Sequence, residues 1–297
     1  MKVAVTGGNG HIGRAIVEEL LSHGSQVVVG DRQLAADLPA PARLVDLEDL
    51  GQVVSLFDAC DAVVHAAAIP RPGGCPDQVL FRTNMMTLFN ALEACRLLGI
   101  KRFVWTSSMS VLGYPFNYRP IIPTYLPFDE QHPQDPQDPY ALSKALGEQL
   151  VASYAARCGL AAISLRIVWA HTPATFQRDL MPFWRDPAGG AGNLWSYVDT
   201  RDCARAARLA LECRADGHHA CQISAADTCM PTPTRRLIAE YIPGAPEPSS
   251  SLPTYGSLFD LRRARELLGF EPCCSWEDYG LGTRAALWRE HTFDERR

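Results

Sequence analysis

The chain has 297 residues, 47% of them hydrophobic and 21% charged, with a net charge of -5. That length supports a large core in one big domain or two modest ones, and the slight acidity gives no footprint for nucleic acid or an anionic membrane. No apolar run approaches the roughly 20 residues of a membrane helix, and Met1-Lys2 leads straight into the core-strand pattern Val3-Ala4-Val5, which reads as the absence of a signal peptide.

In chain order, residues 3–5 and 27–29 read as strands. Between them Ile12, Ile16 and Leu20 mark one stripe of a helix that Gly24 can end. Residues 62–65 and 103–105 are further strands, and 81–98 is helical, with Leu88, Leu92 and Cys95 on one side. Strands alternating with helices predict βαβ units and an α/β fold, a Rossmann-type doubly wound parallel sheet. Seven prolines between Tyr114 and Pro139 forbid a long helix or central strand there, so 114–139 reads as a surface excursion anchored by Tyr114, Phe116, Tyr118, Tyr125 and Phe128. Residues 140–158 form a helix with Leu142, Leu146, Leu150 and Tyr154 at i+4 steps, and 161–169 is the next strand. Beyond it, 189–192 reads as a turn, 203–211 as a helix and 243–253 as a Pro/Ser-rich linker. The division expected is a dinucleotide-binding domain over 1–170 and a smaller, mixed α/β region over 171–297, mainly for substrate, part of which returns to the sheet.

Ten cysteines show no C-x-x-C pair, and only Cys273 and Cys274 are adjacent. They read as reduced thiols acting as small apolar residues, with no metal site, and they agree with a cytoplasmic location. His218-His219 is no better as a metal pair, because adjacent side chains point apart.

Thr6-Gly-Gly-Asn-Gly-His-Ile-Gly13 follows the first strand and opens the first helix. Gly7 permits the tight turn, Gly10 lets the backbone approach a pyrophosphate, and Gly13 allows close helix packing. The helix N-terminus, through His11 and Ile12, then offers N–H groups to the anion. Asp31, past the second strand, can accept hydrogen bonds from an adenosine ribose and would repel a 2′-phosphate, which favours NAD over NADP. Arg32 beside it could instead pair with that phosphate. Asp46-Leu47 sits at an expected helix start, where it can be an N-cap or touch the adenine.

Tyr140-Ala-Leu-Ser-Lys144 puts a phenol and an ammonium on one helical face. A nearby ammonium, with the positive charge of an oxidised nicotinamide, favours the phenolate, which can then remove a hydroxyl proton as hydride leaves the same carbon. The pair follows a strand ending in Thr106-Ser107-Ser108.

With these residues the chain resembles the extended short-chain dehydrogenase/reductase family, the NAD-dependent epimerase/dehydratase group. The matches also take in His65-Ala-Ala-Ala68, Asn84, Gly113, Leu165-Arg166, Tyr197-Val-Asp199 with Asp202, and the tail from Phe259 to Pro272. The resemblance implies that Ser108 hydrogen-bonds the reacting oxygen, Tyr140 is the acid/base and Lys144 holds the nicotinamide ribose. It also implies that Ala66, Ala67 and Ala68 line the cofactor, near Asn84, and that helices near 84–98 and 140–157 pair two chains into a homodimer. Met109 and Ser110 stand where the family's 4,6-dehydratases carry Asp-Glu, which argues against that elimination. Trp169 and His171 stand where many nucleotide-sugar enzymes carry Asn and Tyr, which puts a nucleotide handle on the substrate in doubt.

His171, Arg178 and Trp184 follow the sixth strand at the ligand-binding edge of the sheet and are candidate substrate residues; an arginine there suits a carboxylate or phosphate. Trp195 and Tyr197 are expected to be partly packing residues, and Asp199 and Asp202 to cap a helix. The function expected is hydride transfer at a secondary alcohol or ketone of a sugar-like or related polyhydroxylated small molecule. A nucleotide-sugar epimerase that retains its NAD is the alternative, and a non-catalytic dinucleotide sensor a second one.

Overall fold

The structure is a computed structural model and describes residues 1–287. Its strands are β1 (Lys2–Thr6), β2 (Gln26–Asp31), β3 (Ala42–Leu44), β4 (Ala62–His65), β5 (Arg102–Ser108), β6 (Ala161–Ile167), β7 (Ala170–His171), β8 (Val198–Asp199) and β9 (His218–Ile223). Its helices are α1 (His11–Ser22), α2 (Leu50–Phe57), α3 (Asp77–Leu98), α4 (Pro139–Cys158), α5 (Pro173–Asp179), α6 (Pro187–Ala191), α7 (Thr200–Glu212), α8 (Thr234–Tyr241) and α9 (Arg262–Leu268). Seven strands form one parallel sheet in the order β3-β2-β1-β4-β5-β6-β9, and β7 pairs with β8 in a small second sheet. The chain therefore winds outward in both directions from β1 and β4. Ligands in such sheets bind beyond the carboxyl ends of the strands, where the winding reverses.

The inner strands β1, β2, β4, β5 and β6 are buried on both faces, which explains their near-continuous apolar runs. Side chains alternate across each strand. Val3, Val5, Val27 and Val29 meet Ile16 and Leu20 of α1 and Ala206 and Ala207 of α7 on one face. Ala4, Val28 and Val63 meet Leu56 of α2, Leu88 and Leu92 of α3 and Val151 of α4 on the other.

The proline-rich excursion lies between β5 and α4, as its composition requires. It is tied down by Phe128, whose N–H donates to the Leu258 carbonyl and whose ring stacks on Phe259. The C-terminal part of the chain returns to the sheet through β9, beside β6.

Some local expectations are corrected. Residues 189–192 are not a plain turn, since α6 runs through Ala191. Helix α2 begins at Leu50 with Asp49 as its N-cap, so Asp46 is not the cap; it lies in the preceding turn and accepts the Glu48 N–H. Leu47 is buried in the core. The i+4 stripe of α4 divides: Leu142 lies outward, whereas Leu150 packs against the core and Tyr154 is buried in it. Leu142 is 40% exposed, and the helix buries Tyr140, Ala141, Ser143, Lys144, Gly147 and Glu148 instead. This side is small and polar because α4 lies close against β5: a Cβ on Gly147 would come within 2.3 Å of the Trp105 ring.

Candidate active site

The glycine loop connects β1 to α1. Gly7 has φ +70°, a left-handed conformation, and a Cβ on it would fall 2.7 Å from the Ala67 backbone. A Cβ on Gly13 would fall 2.0 Å from the Gly7 carbonyl oxygen. Both positions thus exclude any larger residue. No side chain caps α1 at Gly10. The first turn of α1 therefore presents its N–H groups and the positive end of its dipole, and the backbone forms a cradle that fits a pyrophosphate. Asp31, at the end of β2, accepts the N–H groups of Asn9 (3.0 Å) and Gln33 (3.3 Å), which fixes its carboxylate at the rim of the loop beside the exposed Arg32.

A chain of contacts leads from this loop to α4. Thr6 Oγ1 lies 2.8 Å from His65 Nδ1, and Thr106 Oγ1 donates to the His65 carbonyl (3.4 Å). The Lys144 ammonium donates to the Thr106 carbonyl (2.6 Å). The half-buried Ala66, Ala67 and Ala68 follow His65. Their loop is held by Asn84, whose Oδ1 accepts the Ile69 N–H and whose amide donates to the Ile69 carbonyl and to Ser143 Oγ on α4.

Ser108 ends β5, and Tyr140 and Lys144 stand one turn apart on α4. Burial pushes the Tyr140 phenol up to about 12, while a hydrogen bond with Ser108 pulls it down. Burial brings Lys144 down to about 7, against the pull of Glu148. The ammonium lies 4.8 Å from the Trp105 ring centroid and 5.5 Å from that of Tyr140. Phe116 of the excursion meets the Tyr140 ring edge-on at 6.4 Å.

Several supporting residues were not singled out from the sequence. Ser110 Oγ is 2.8 Å from Ser108 Oγ, and the Ser110 N–H also donates to Ser108 Oγ (3.1 Å). Asp138 caps α4 by accepting the N–H groups of Tyr140 and Ala141; Asp before Pro is an N-cap pattern that could have revealed it. Glu148 receives a buried two-pronged contact from Arg166 (2.9 and 2.7 Å) and a hydrogen bond from Ser107, which locks α4 onto β5 and β6.

The substrate candidates separate. His171 is 1% exposed, with Nδ1 3.2 Å from Thr175 Oγ1, Nε2 without a partner, and its ring against Trp169. Burial, with His11 and Arg178 nearby, lowers it to about 4 although Asp179 opposes this. Arg178 is exposed and pairs with its neighbour Asp179. Trp184 corrects the expectation: it is a packing residue, buried against Trp276 with its N–H donated to the Cys229 carbonyl. Trp195 and Tyr197 are fully buried. Asp199 is the N-cap of α7 as expected, but Asp202 turns instead to the backbone of Cys273 and Cys274.

Residues 3–224 match the family described as NAD dependent epimerase/dehydratase. The UDP-glucose 4-epimerase of Corynebacterium glutamicum is 28% identical over 253 residues, covering 74% of this chain and 73% of that protein. The L-arabinose 1-dehydrogenase (NAD(P)(+)) of Haloferax volcanii is 30% identical over 216 residues, 71% of this chain and 82% of that protein. Among solved structures, a short-chain dehydrogenase/reductase superfamily protein from Agrobacterium tumefaciens with bound NAD superposes with TM-score 0.72 at 22% identity over 100% of both chains. A UDP-glucose 4-epimerase from Brucella ovis in complex with NAD gives TM-score 0.70 at 23% identity, covering 96% of this chain and 98% of that one.

Proposed function

Because the chain belongs to the NAD dependent epimerase/dehydratase family, and so is an enzyme working with a nicotinamide dinucleotide, we propose that it transfers a hydride at a secondary alcohol or ketone of a sugar-like, polyhydroxylated substrate. One observation carries this reading: Ser108, Tyr140 and Lys144 meet at the carboxyl ends of the strands, joined to the glycine loop through Thr106, His65 and Thr6.

The bound nicotinamide supplies the hydride acceptor or donor. Tyr140 Oη takes the hydroxyl proton in oxidation and returns it in reduction. Lys144, already beneath the Tyr140 ring, turns its ammonium to the ribose and favours the phenolate. Ser108 Oγ holds the substrate oxygen. The Ser110 N–H donates to Ser108 Oγ and the Ser110 hydroxyl lies 2.8 Å from it, so Ser110 holds the Ser108 hydroxyl in place. The cradle at Gly7, Gly10 and Gly13, with His11 and Ile12 at the helix start, takes the pyrophosphate. Asp31 takes the adenosine ribose, which selects NAD over NADP. Asp46, Leu47, Ala66–Ala68 and Asn84 complete the cofactor side, and His171 and Arg178 the substrate side.

Trp169 is 43% exposed at the end of β6, where nucleotide-sugar enzymes of the family carry asparagine. This supports a substrate without a nucleotide handle. Met86 and Phe89 of α3 (39% exposed each) and Leu142 of α4 form an apolar face that supports a homodimer through these helices.

The test is mass spectrometry of the cofactor released from purified protein, followed by absorbance of reduced nicotinamide across a panel of sugars and alcohols. Bound NAD with net reduction by a sugar-type alcohol is expected. Retained NAD with no net reduction would transfer the reading to the epimerase, and a lack of dinucleotide affinity would overturn it.

A further inference from the structure

On the sheet face opposite α4, the chain beyond α9 folds back onto the first turn of α7. Asp202, fully buried, accepts the N–H groups of Cys273 (3.1 Å) and Cys274 (3.0 Å). The Cys273 thiol lies 3.2 Å from Asp202 Oδ1 and 3.9 Å from the Cys274 thiol. We propose that Asp202, Cys273 and Cys274 form a binding site for a thiophilic divalent cation of the zinc class, independent of the redox centre.

Three observations carry it. The first is spacing. Two thiolates on a tetrahedral zinc at about 2.3 Å stand about 3.8 Å apart, and a thiolate and a carboxylate oxygen about 3.5 Å apart. The separations of 3.9 and 3.2 Å already approximate these, and one ligand atom from each of the three residues lies within 4.8 Å of the others. The second is preorganisation. The backbone N–H groups of Cys273 and Cys274 and the Arg205 guanidinium fix the carboxylate, with Oδ1 facing the Cys273 thiol. The third is charge. Two thiolates and a carboxylate carry three negative charges, and a divalent cation with Arg205, paired to Asp202 at 3.0 Å, balances them. Cys273 is exposed and Cys274 half-buried, so the cation can enter from solvent and its fourth position faces water. On binding, each thiol gives its proton to solvent as its sulfur–metal bond forms. No oxidant is needed.

The cation would clip the tail to α7, which itself packs on α1. The test uses the full chain, reduced and stripped of metal, titrated with cadmium while the thiolate charge-transfer absorption is followed, and with zinc by calorimetry. One cation per chain with release of protons is expected, together with a rise in melting temperature. Cys273→Ser and Cys274→Ser should each weaken binding by at least about 100-fold, and Asp202→Asn by about tenfold, all with hydride transfer unchanged. Absence of a saturable single site would overturn the proposal. So would equal affinity in the Cys273→Ser/Cys274→Ser double variant, or loss of two hydrogens from the pair, reversed by reductant, in place of metal uptake.

Discussion

Burial holds Lys144 at about 7, far below the 10.5 of a free lysine. Each unit of such a shift is worth about 1.4 kcal/mol, so the buried Lys144 works against the fold at neutral pH. The unfolded chain keeps the lysine proton up to 10.5, while the folded chain gives it up near 7; the penalty is therefore full below 7 and fades as pH rises toward 10.5. Lys144→Met should accordingly raise the melting temperature of the cofactor-free protein at pH 7, with the gain shrinking by pH 10, and should cut turnover at least about 100-fold. Calorimetric melts at the two pH values, alongside a rate assay, check both. At this scale the proposed chemistry rests on spacing legible in the sequence: a tyrosine and a lysine four apart after a serine-ended strand. Ser110 and Glu148 were not legible there, because their roles depend on which atoms the fold brings within hydrogen-bond distance. Asp202 is the extreme case. It meets Cys273 across 71 residues, and the adjacent cysteines alone read as inert thiols.

Helix α4 shows what periodicity can and cannot tell. The i+4 stripe correctly signalled a helix, yet its first leucine, Leu142, lies on the outer side, because the inner side there needs small residues to reach β5. Gly147 is where that approach is closest. Gly147→Ala should force Trp105 away from Lys144, lower stability by about 1–3 kcal/mol and reduce turnover; urea unfolding and the rate assay report these together. Leu142, exposed on that outer side, then needs a partner. With Phe89 and Met86 it predicts a dimer in solution scattering, and Leu142→Glu combined with Phe89→Glu should give a monomer. A monomeric mass for the wild-type chain would contradict the dimer. The 189–192 segment was misjudged for a related reason: glycines read as turn residues can sit in a short helix when a neighbour such as Trp195 packs against them. A Cβ on Gly190 would come within 2.4 Å of that ring.

Across the whole molecule the parallel sheet was readable where its inner strands are apolar on both faces and alternate with helices; the exposed edge strand β3 and the polar β9 carry no such signal. The order β3-β2-β1-β4-β5-β6-β9 puts all carboxyl ends on one edge, so residues from Gly7 to His171 converge there. Two histidines on that edge tie it to global stability. His65 is held at about 3 by burial and Lys144, and His171 at about 4 by burial. Unfolded, each takes a proton below 6.5; folded, each stays neutral to much lower pH. Their stability is thus complete above 6.5 and lost as pH falls toward 4. The unfolding free energy from urea titrations should drop between pH 7.5 and 5.0, by up to roughly 4 kcal/mol for the pair, and His171→Gln should flatten the slope.

The central claim, that this edge transfers a hydride with Tyr140 moving the proton, is tested most directly by comparing the wild-type chain with Tyr140→Phe. Dinucleotide affinity and single-turnover reduction of NAD by the best substrate of the panel are measured in both. The account predicts equal dinucleotide affinity and a rate at least about 100-fold lower in the variant. An unchanged rate in Tyr140→Phe would contradict it.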